Sequence, residues 1–308
     1  MNFPEITDIK PGRIIEKKIR GVYNEFCRSL GKISRFRIER NIMALITLDI
    51  EKCTGCGSCV HVCPNLIFYE KSGRIAPKIA PYSEERCIVC GHCVASCPVS
   101  AITVGDVSPE NSPQLDKEKL PGFEQCMTLA QTRRSIRRYQ RKPVSQEHLD
   151  KVFEILRWAP TAKNRLLLDW IVVNRRETVH ELAGIIVDGL RDDPEYKDLV
   201  AVWDNGYDWV LRGAPCLLIS CSNRENLWLA YDSGIAVETI DLVLPSLGLG
   251  GCWAGFFMHF AETNPVLRER LQIPDNVQVG ATLMLGYPDR EVYRRAPWRP
   301  EISVRFVE

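Results

Sequence analysis

The chain has 308 residues, of which 45% are hydrophobic and 26% are charged. These proportions are typical of a soluble globular protein long enough for two domains. The net charge of +1 argues against a general role in binding nucleic acid or a membrane surface. No apolar run reaches the length of a membrane-spanning helix.

The first segment, residues 1–44, is a basic extension in which Lys and Arg outnumber the acids. The acids Glu5, Asp8 and Glu16 argue against a mitochondrial-type presequence. Met43 opens a short strand-like run that leads into the first cysteine motif. Two alternatives therefore stay open for the residues before it, an upstream misreading of the start or a poorly ordered extension, and we assign them no function.

Two copies of the pattern C-x-x-C-x-x-C-x-x-x-C-P follow, one beginning at Cys53 and the other 34 residues later at Cys87. Three cysteines at this spacing wrap one 4Fe–4S cluster, and the fourth lies beyond a turn and reaches the neighbouring cluster. The pattern predicts a domain over residues 45–107 with two clusters. One is held by Cys53, Cys56, Cys59 and Cys97, and the other by Cys63, Cys87, Cys90 and Cys93.

Disulfides and zinc explain this pattern less well. No secretion signal precedes the cysteines, and zinc does not require a third cysteine and a trailing Cys-Pro in each copy. His61 and His92 are expected to be solvated loop residues. Gly57 and Gly91 allow close approach of the backbone to a cluster. The repeat resembles the bacterial-type two-cluster ferredoxins.

The remaining cysteines share no common spacing, so we expect buried, reduced thiols and a cytoplasmic location. They are Cys27, Cys126, Cys216, Cys221 and Cys252.

Short apolar strands flank the cysteine motifs at residues 67–68 and 101–104, with a turn at residues 71–74. Residues 108–122 are polar and contain several prolines, which is typical of a semi-extended linker. A second domain therefore begins at residue 123 and runs to residue 308.

The second domain mixes helices with separated strands, which predicts an α+β chain with a helix-packed α/β sheet. The predicted helices cover residues 126–136, a segment capped by Ser145 and stopped before Pro160, and the largely apolar residues 227–244. The predicted strands cover a buried run at residues 170–173, residues 216–222 and 277–285, and the terminal alternation at 302–306.

Five stretches of this domain, in order, carry a family resemblance. They are RRSIRRY at 133–139, APTAKN at 159–164, LRGAP at 211–215, DSGIAVETIDLVLPSLGLGGCWAGFF at 232–257 and LGYPDREVYRRAPWRP at 285–300. Together they resemble the FMN-dependent nitroreductase family across nearly all of residues 126–308. With the preceding module, the chain is similar to ferredoxin–nitroreductase fusions.

The resemblance implies a homodimer with FMN at the subunit interface. Arginine forks suit the flavin phosphate, the Pro-Thr-x-x-Asn segment is usually supplied by the partner subunit, and the glycine-rich stretch approaches flavin O4 and N5. The late arginines form a second phosphate contact. The implied contacts are Arg133, Arg134, Ser135, Arg137, Pro160, Thr161, Asn164, Gly250, Gly251, Ala254, Gly255, Arg295 and Arg299.

The sequence departs from the family pattern at Leu166 and Leu167, which replace a usual Gln-Pro. The role of Arg212 stays open between a structural ion pair, which we favour, and a substrate contact. Trp203, Trp209, Trp253 and Phe257 are candidates for an aromatic pocket, with core packing as the alternative.

The resemblance implies a flavin oxidoreductase that takes electrons from a low-potential donor such as ferredoxin, through two clusters, to a small acceptor. Nitroaromatics, quinones and activated enones are the expected acceptor types. No catalytic side chain is expected, because the cofactor carries the difficult step. The alternative function is a non-catalytic electron relay between a ferredoxin-type donor and another protein.

Overall fold

The computed structural model describes residues 45–69, 76–290 and 300–307. The cysteine-rich unit contains short strands and helices connected by tight loops. They are β1 (Ile46–Leu48), α1 (Ser58–Val62), β2 (Phe68–Tyr69), β3 (Lys78–Ile79), α2 (Ser83–Arg86), α3 (His92–Ala95) and β4 (Ile102–Val104).

The two ends of this unit pair with each other. β1 lies antiparallel to β4 with Ile46 opposite Val104, and β2 lies antiparallel to β3. Ile46, Phe68 and Val104 are buried in a small core that also contains several cysteines. The predicted strands at 67–68 and 101–104 are therefore confirmed with small shifts in their bounds, whereas the predicted turn at 71–74 lies outside the described residues.

The second unit is built on a four-stranded sheet. Its helices are α4 (Phe123–Thr132), α5 (Gln146–Leu156), α6 (Arg176–Gly189), α7 (Lys197–Asp204), α8 (Leu229–Val243), α9 (Gly255–Thr263) and α10 (Pro265–Arg270). Its strands are β5 (Asp169–Val173), β6 (Cys216–Asn223), β7 (Gly250–Trp253) and β8 (Val277–Gly286), in the antiparallel order β5-β6-β8-β7.

The sheet is covered on both faces, which the central strand β6 shows most clearly. Leu217 and Ile219 pack into one core with α6 and α9. Cys216 and Leu218, which alternate with them, pack into a second core with α5 and α8. Successive side chains of a strand point to opposite faces, so a strand with nearly every residue buried requires both layers of helices.

Several predicted elements are confirmed. Ser145 caps α5 by accepting a hydrogen bond from the backbone N–H of His148 at 3.3 Å. The strands predicted at 216–222 and 277–285 correspond to β6 and β8, and the apolar helix corresponds to α8.

Two predicted elements need correction. The first helix of the second domain ends at Thr132 rather than at residue 136. The chain leaves the helix there because the N–H of Ile136 bonds the carbonyl of Gly251 at 2.8 Å, which draws the segment against β7. The strand predicted to be buried at 170–173 is only half-buried, because β5 lies at an edge of the sheet.

The chain terminus also differs from expectation. Residues 302–306 form no strand within this chain, and Ile302 and Phe306 are exposed. A strand needs a neighbour to complete its hydrogen bonds, and no described strand of this chain pairs with this segment. None of the helices in the described ranges is long and apolar enough to cross a membrane.

The remaining cysteines divide into two groups. Cys216, Cys221 and Cys252 are buried free thiols, as predicted, and burial raises the pKa of Cys216 to about 12. Cys126 is exposed on α4, which buries none of its side chains, so the prediction of a buried thiol is wrong there. Cys27 lies outside the described residues.

Candidate functional site

The eight motif cysteines surround two separate cavities. One cavity is lined by Cys53, Cys56, Cys59 and Cys97, which we call the first cysteine set. The other cavity is lined by Cys63, Cys87, Cys90 and Cys93, which we call the second cysteine set. Each set combines three cysteines of one motif with the last cysteine of the other.

The backbone around each cavity repeats the same local geometry. Gly57 and Gly91 both have φ of 73°, in the left-handed region that glycine adopts without strain, and each precedes a short helix that carries one cysteine, Cys59 or Cys93. The N–H of Ile67 donates to Cys63 Sγ at 3.4 Å, and the N–H of Ala101 donates to Cys97 Sγ at 3.2 Å. Both crossing cysteines thus have a backbone donor, as cluster ligands commonly do.

Burial keeps several of these thiols protonated in the absence of metal. Desolvation raises the pKa of Cys93 to about 12 and that of Cys59 to about 11. The hydroxyl of Ser58 lowers the pKa of Cys56, which is exposed. A buried thiol with a raised pKa ionises when a metal cation coordinates it, so the donor chemistry fits iron–sulfur clusters. His61 and His92 are exposed, as expected, but lie in helices rather than loops.

The arginine-rich segment after α4 contains one arginine in a buried ion pair and further arginines whose side chains are exposed. Arg133 Nη1 donates to Asp241 Oδ2 at 2.8 Å, and its Nε lies 3.6 Å from Glu238 Oε1. The Asp241 carboxylate is buried and raises the pKa of Arg133. Arg137 is exposed and forms no ion pair with a described residue, and Ser135 is half-buried. Arg134 is also exposed.

The segment that contains Pro160, Thr161 and Asn164 is held against α8 by a carboxylate. The N–H of Ala162 donates to Asp232 Oδ1 at 2.9 Å, and Asp232 is buried. The hydroxyl of Thr161 accepts from the N–H of Leu166 at 3.0 Å. Pro160 and Asn164 remain exposed, so this anchored turn can present them to a bound group.

Asp232 and Asp241 are two residues that the sequence analysis did not single out. Both are buried in the largely apolar helix α8, and both bind a segment implied in flavin contact. A carboxylate in such a helix is costly to bury unless it is paired, and this is the signal that identifies them.

The glycine-rich stretch has a packing role at its start. A Cβ at Gly250 would lie 2.3 Å from Ile136 Cγ1, and a Cβ at Gly251 would lie 2.9 Å from Leu244 Cδ1. Ala254 is buried, whereas a Cβ at Gly255 would meet nothing within 4 Å. Of these residues, Gly255 has open space in front of it at the start of α9, so its flavin contact stays a prediction with room to occur.

This difference predicts opposite results for two glycine substitutions. Gly250→Ala should lower the free energy of unfolding by about 1–3 kcal/mol, because it overpacks against Ile136. Gly255→Ala should leave the unfolding midpoint unchanged and weaken FMN binding. Chemical denaturation and flavin titration measure the two effects, and a destabilised Gly255→Ala would contradict this account.

The remaining candidate residues differ in burial and in their contacts. Arg212 stacks over the ring of Trp209 at 4.7 Å and donates to the hydroxyl of Tyr207 at 3.3 Å. Phe257 is fully buried, which establishes core packing there, and Trp203 stacks on His180. Trp209 and Trp253 are exposed. Arg295 and Arg299 lie outside the described residues.

Comparison with known proteins matches both halves of the chain. The nitroreductase family matches residues 130–287, and a 4Fe–4S dicluster domain matches residues 52–102. A protein of Archaeoglobus fulgidus named putative NADH dehydrogenase/NAD(P)H nitroreductase is 29% identical over 175 residues, covering 55% of this chain and 88% of that protein. A protein of the same name from Methanothermobacter thermautotrophicus is 30% identical over 162 residues, covering 51% of this chain and 74% of the relative.

A solved structure shows the same fold. The FMN-bound nitroreductase of Bacteroides fragilis aligns with a TM-score of 0.53 and 23% identity, over 59% of this chain and 98% of that chain. At this identity the likeness establishes the fold of the second unit and no more.

Proposed function

The chain belongs to the nitroreductase family, and on that premise we propose that it is an FMN-dependent oxidoreductase supplied with electrons through two 4Fe–4S clusters. Its acceptor is a small molecule of the nitroaromatic, quinone or activated enone type. One observation carries the proposal: a single chain contains two cavities, each lined by four cysteines, and a domain of the nitroreductase family.

The first and second cysteine sets are proposed to hold one cluster each. Cluster ligation by three residues of one motif and one of the other is typical of two-cluster ferredoxins, and the linings of the two cavities support it. The backbone donors at Ile67 and Ala101 stabilise the negative charge on the crossing sulfurs.

The flavin site is proposed to use Arg137 and Ser135 for the phosphate and ribityl groups, with Arg134 beside them. Pro160, Thr161, Asn164, Gly255, Arg295 and Arg299 complete the proposed contacts. Further proposed flavin contacts also pack against neighbouring parts of the fold, Arg133 against Asp241 and Gly250 against Ile136. They are Arg133, Gly250, Gly251 and Ala254. When bound, FMN supplies hydride or single-electron transfer to the acceptor.

A homodimer is proposed because the second unit leaves apolar side chains uncovered. Tyr231 and Ile235, on the outer face of α8, are 67% and 41% exposed. Phe123 on α4 and Phe306 near the terminus are 74% and 89% exposed. Single exposed apolar residues are common, but whole uncovered faces mark interfaces. Light scattering tests this, and a monomer would contradict it.

A low-potential protein such as ferredoxin is the proposed electron donor, in a reducing cytoplasm. The cysteine-rich module supports a protein donor, whereas the names of the two archaeal relatives favour NAD(P)H for those proteins. The free buried thiols support a reducing setting.

Turnover of small acceptors tests the proposed function directly. The protein loaded with iron, sulfide and FMN should reduce nitrobenzoates, benzoquinones or enones when supplied with reduced ferredoxin. If none of these acceptors is turned over, and electrons pass instead to a second redox protein, the chain is the non-catalytic relay.

A further inference from the structure

The surroundings of the two cysteine cavities differ although their backbones repeat. The 34-residue repeat places Ser58 opposite His92 and Thr54 opposite Ile88. The first cavity is therefore lined by two hydroxyl side chains. At the same positions, the second cavity has an isoleucine and a histidine.

The hydroxyl of Ser58 lies on a ligand sulfur. Ser58 Oγ is 3.4 Å from Cys56 Sγ, and a coordinated thiolate can only accept, so the hydroxyl is the donor in the loaded protein. Cys56 is the most solvent-accessible of the eight, being classed as exposed while the other seven are half-buried or buried. Among the described hydrogen bonds, none joins His92 to Cys90, the repeat counterpart of Cys56.

The second cavity contains more large apolar side chains, together with the polar Asn65 and His92. Ile46, Ile67, Phe68, Ile88 and Val104 all contribute to its lining, and Phe68 and Val104 are 1% exposed. The first cavity has Leu48, Val99 and Ile102 in the comparable layer.

These differences make a cluster at the first cysteine set easier to reduce than one at the second. Adding an electron makes a cluster more negative, and hydrogen bonds to sulfur and access to water stabilise that charge. The Ser58 hydroxyl and the exposure of Cys56 therefore favour an electron at the first set over the second.

This inference rests on the proposed function, in which the protein holds two clusters. We propose that the two clusters differ in reduction potential and that the cluster at the first cysteine set is reduced first because of Ser58. At partial reduction a single electron then resides at the first set. Ser58 is a positioning residue in this account, since it acts through Cys56.

Redox titration with detection by electron paramagnetic resonance tests this on the full-length protein. Dithionite supplies the electrons, one for each cluster, and no bond is made or broken. The protein should be reduced in two resolved steps. Ser58→Ala should lower the upper step, by up to about tenfold in the one-electron equilibrium constant, or about 59 mV, and leave the lower step in place.

Two further variants test the converse change and provide a control. His92→Ser places a hydroxyl beside the second set and should raise the lower step. Ser96→Ala is the matched control, because the Ser96 hydroxyl donates to the carbonyl of Cys93 at 3.4 Å rather than to a sulfur, and it should shift neither step.

Iron analysis separates failure of this inference from failure of the proposed function. Protein that holds a single cluster overturns the proposed cofactor content and this inference with it. Protein with two clusters whose upper step is unmoved by Ser58→Ala overturns the role of Ser58 alone, and reduction in one unresolved step overturns the inequivalence.

Discussion

Replacing Cys97 with alanine should remove the cluster held by Cys53, Cys56 and Cys59, although Cys97 belongs to the other motif. The cavity that those three cysteines line is closed by Cys97 and not by Cys63. A 4Fe–4S cluster with a missing thiolate is no longer held at all four irons. The purified variant should therefore contain roughly half of the iron of the native protein.

A comparison of variants tests whether each cluster takes its fourth cysteine from the other motif. Cys97→Ala should give the same resonance spectrum as Cys53→Ala, with the second cluster intact, and Cys63→Ala should match Cys87→Ala. Cys126→Ala is the control, because Cys126 is exposed on α4 and lines neither cavity. If Cys97→Ala instead matches Cys87→Ala, each motif holds its own cluster and the crossed assignment is wrong.

Replacing Arg137 with alanine should weaken FMN binding by about 10- to 100-fold. A hydrogen bond to a charged group contributes about 1.5–3 kcal/mol, and each 1.4 kcal/mol is a factor of ten in affinity. The guanidinium of Arg137 is exposed and forms no ion pair with a described residue, so its removal should leave the unfolding midpoint of the flavin-free protein unchanged. Quenching of flavin fluorescence measures the dissociation constant.

The adjacent residue provides the control. Arg138 is paired with Asp289 at 2.8 Å on the surface, and such pairs contribute at most about 1 kcal/mol. Arg138→Ala should therefore change the FMN dissociation constant by less than about fivefold. Equal weakening by the two variants would show a general loss of positive charge rather than a specific phosphate contact at Arg137.

The cysteine motifs could be interpreted from sequence because their chemistry is local. Ligand spacing fixes which thiols can reach one cluster, and the matching left-handed conformations at Gly57 and Gly91 show the same backbone in both copies. Strands β6 and β8 were also predictable, since a short, continuous apolar run suits a strand covered on both faces.

The glycine-rich strand β7 was not predictable in the same way. Glycine is depleted in strands, and the stretch resembles a cofactor loop when taken alone. It forms a strand because β8 pairs with it and because Ile136 packs where a Cβ at Gly250 would be. Ile136 lies more than a hundred residues before Gly250 in the chain, so this packing is not visible in the local sequence.

The ion pair of Arg133 could not be predicted from the sequence for a similar reason. The family resemblance implies a flavin contact for Arg133, which stays a prediction, and the structure adds an ion pair between its guanidinium and the buried Asp241. An arginine beside a buried acid stabilises the fold by avoiding an uncompensated charge. The pairing depends on how α8 packs against the segment after α4, which sequence spacing does not reveal.

The central claim, that electrons enter at the cysteine-rich module and reach the flavin, is tested most directly by anaerobic absorbance titration. NADH, NADPH and reduced ferredoxin are added in turn to the loaded protein while the flavin and cluster bands are followed. Our account predicts that reduced ferredoxin bleaches the flavin band and that Cys53→Ser slows this step. Direct reduction of the flavin by NADPH, at a rate that Cys53→Ser leaves unchanged, would contradict it and place electron entry at the flavin.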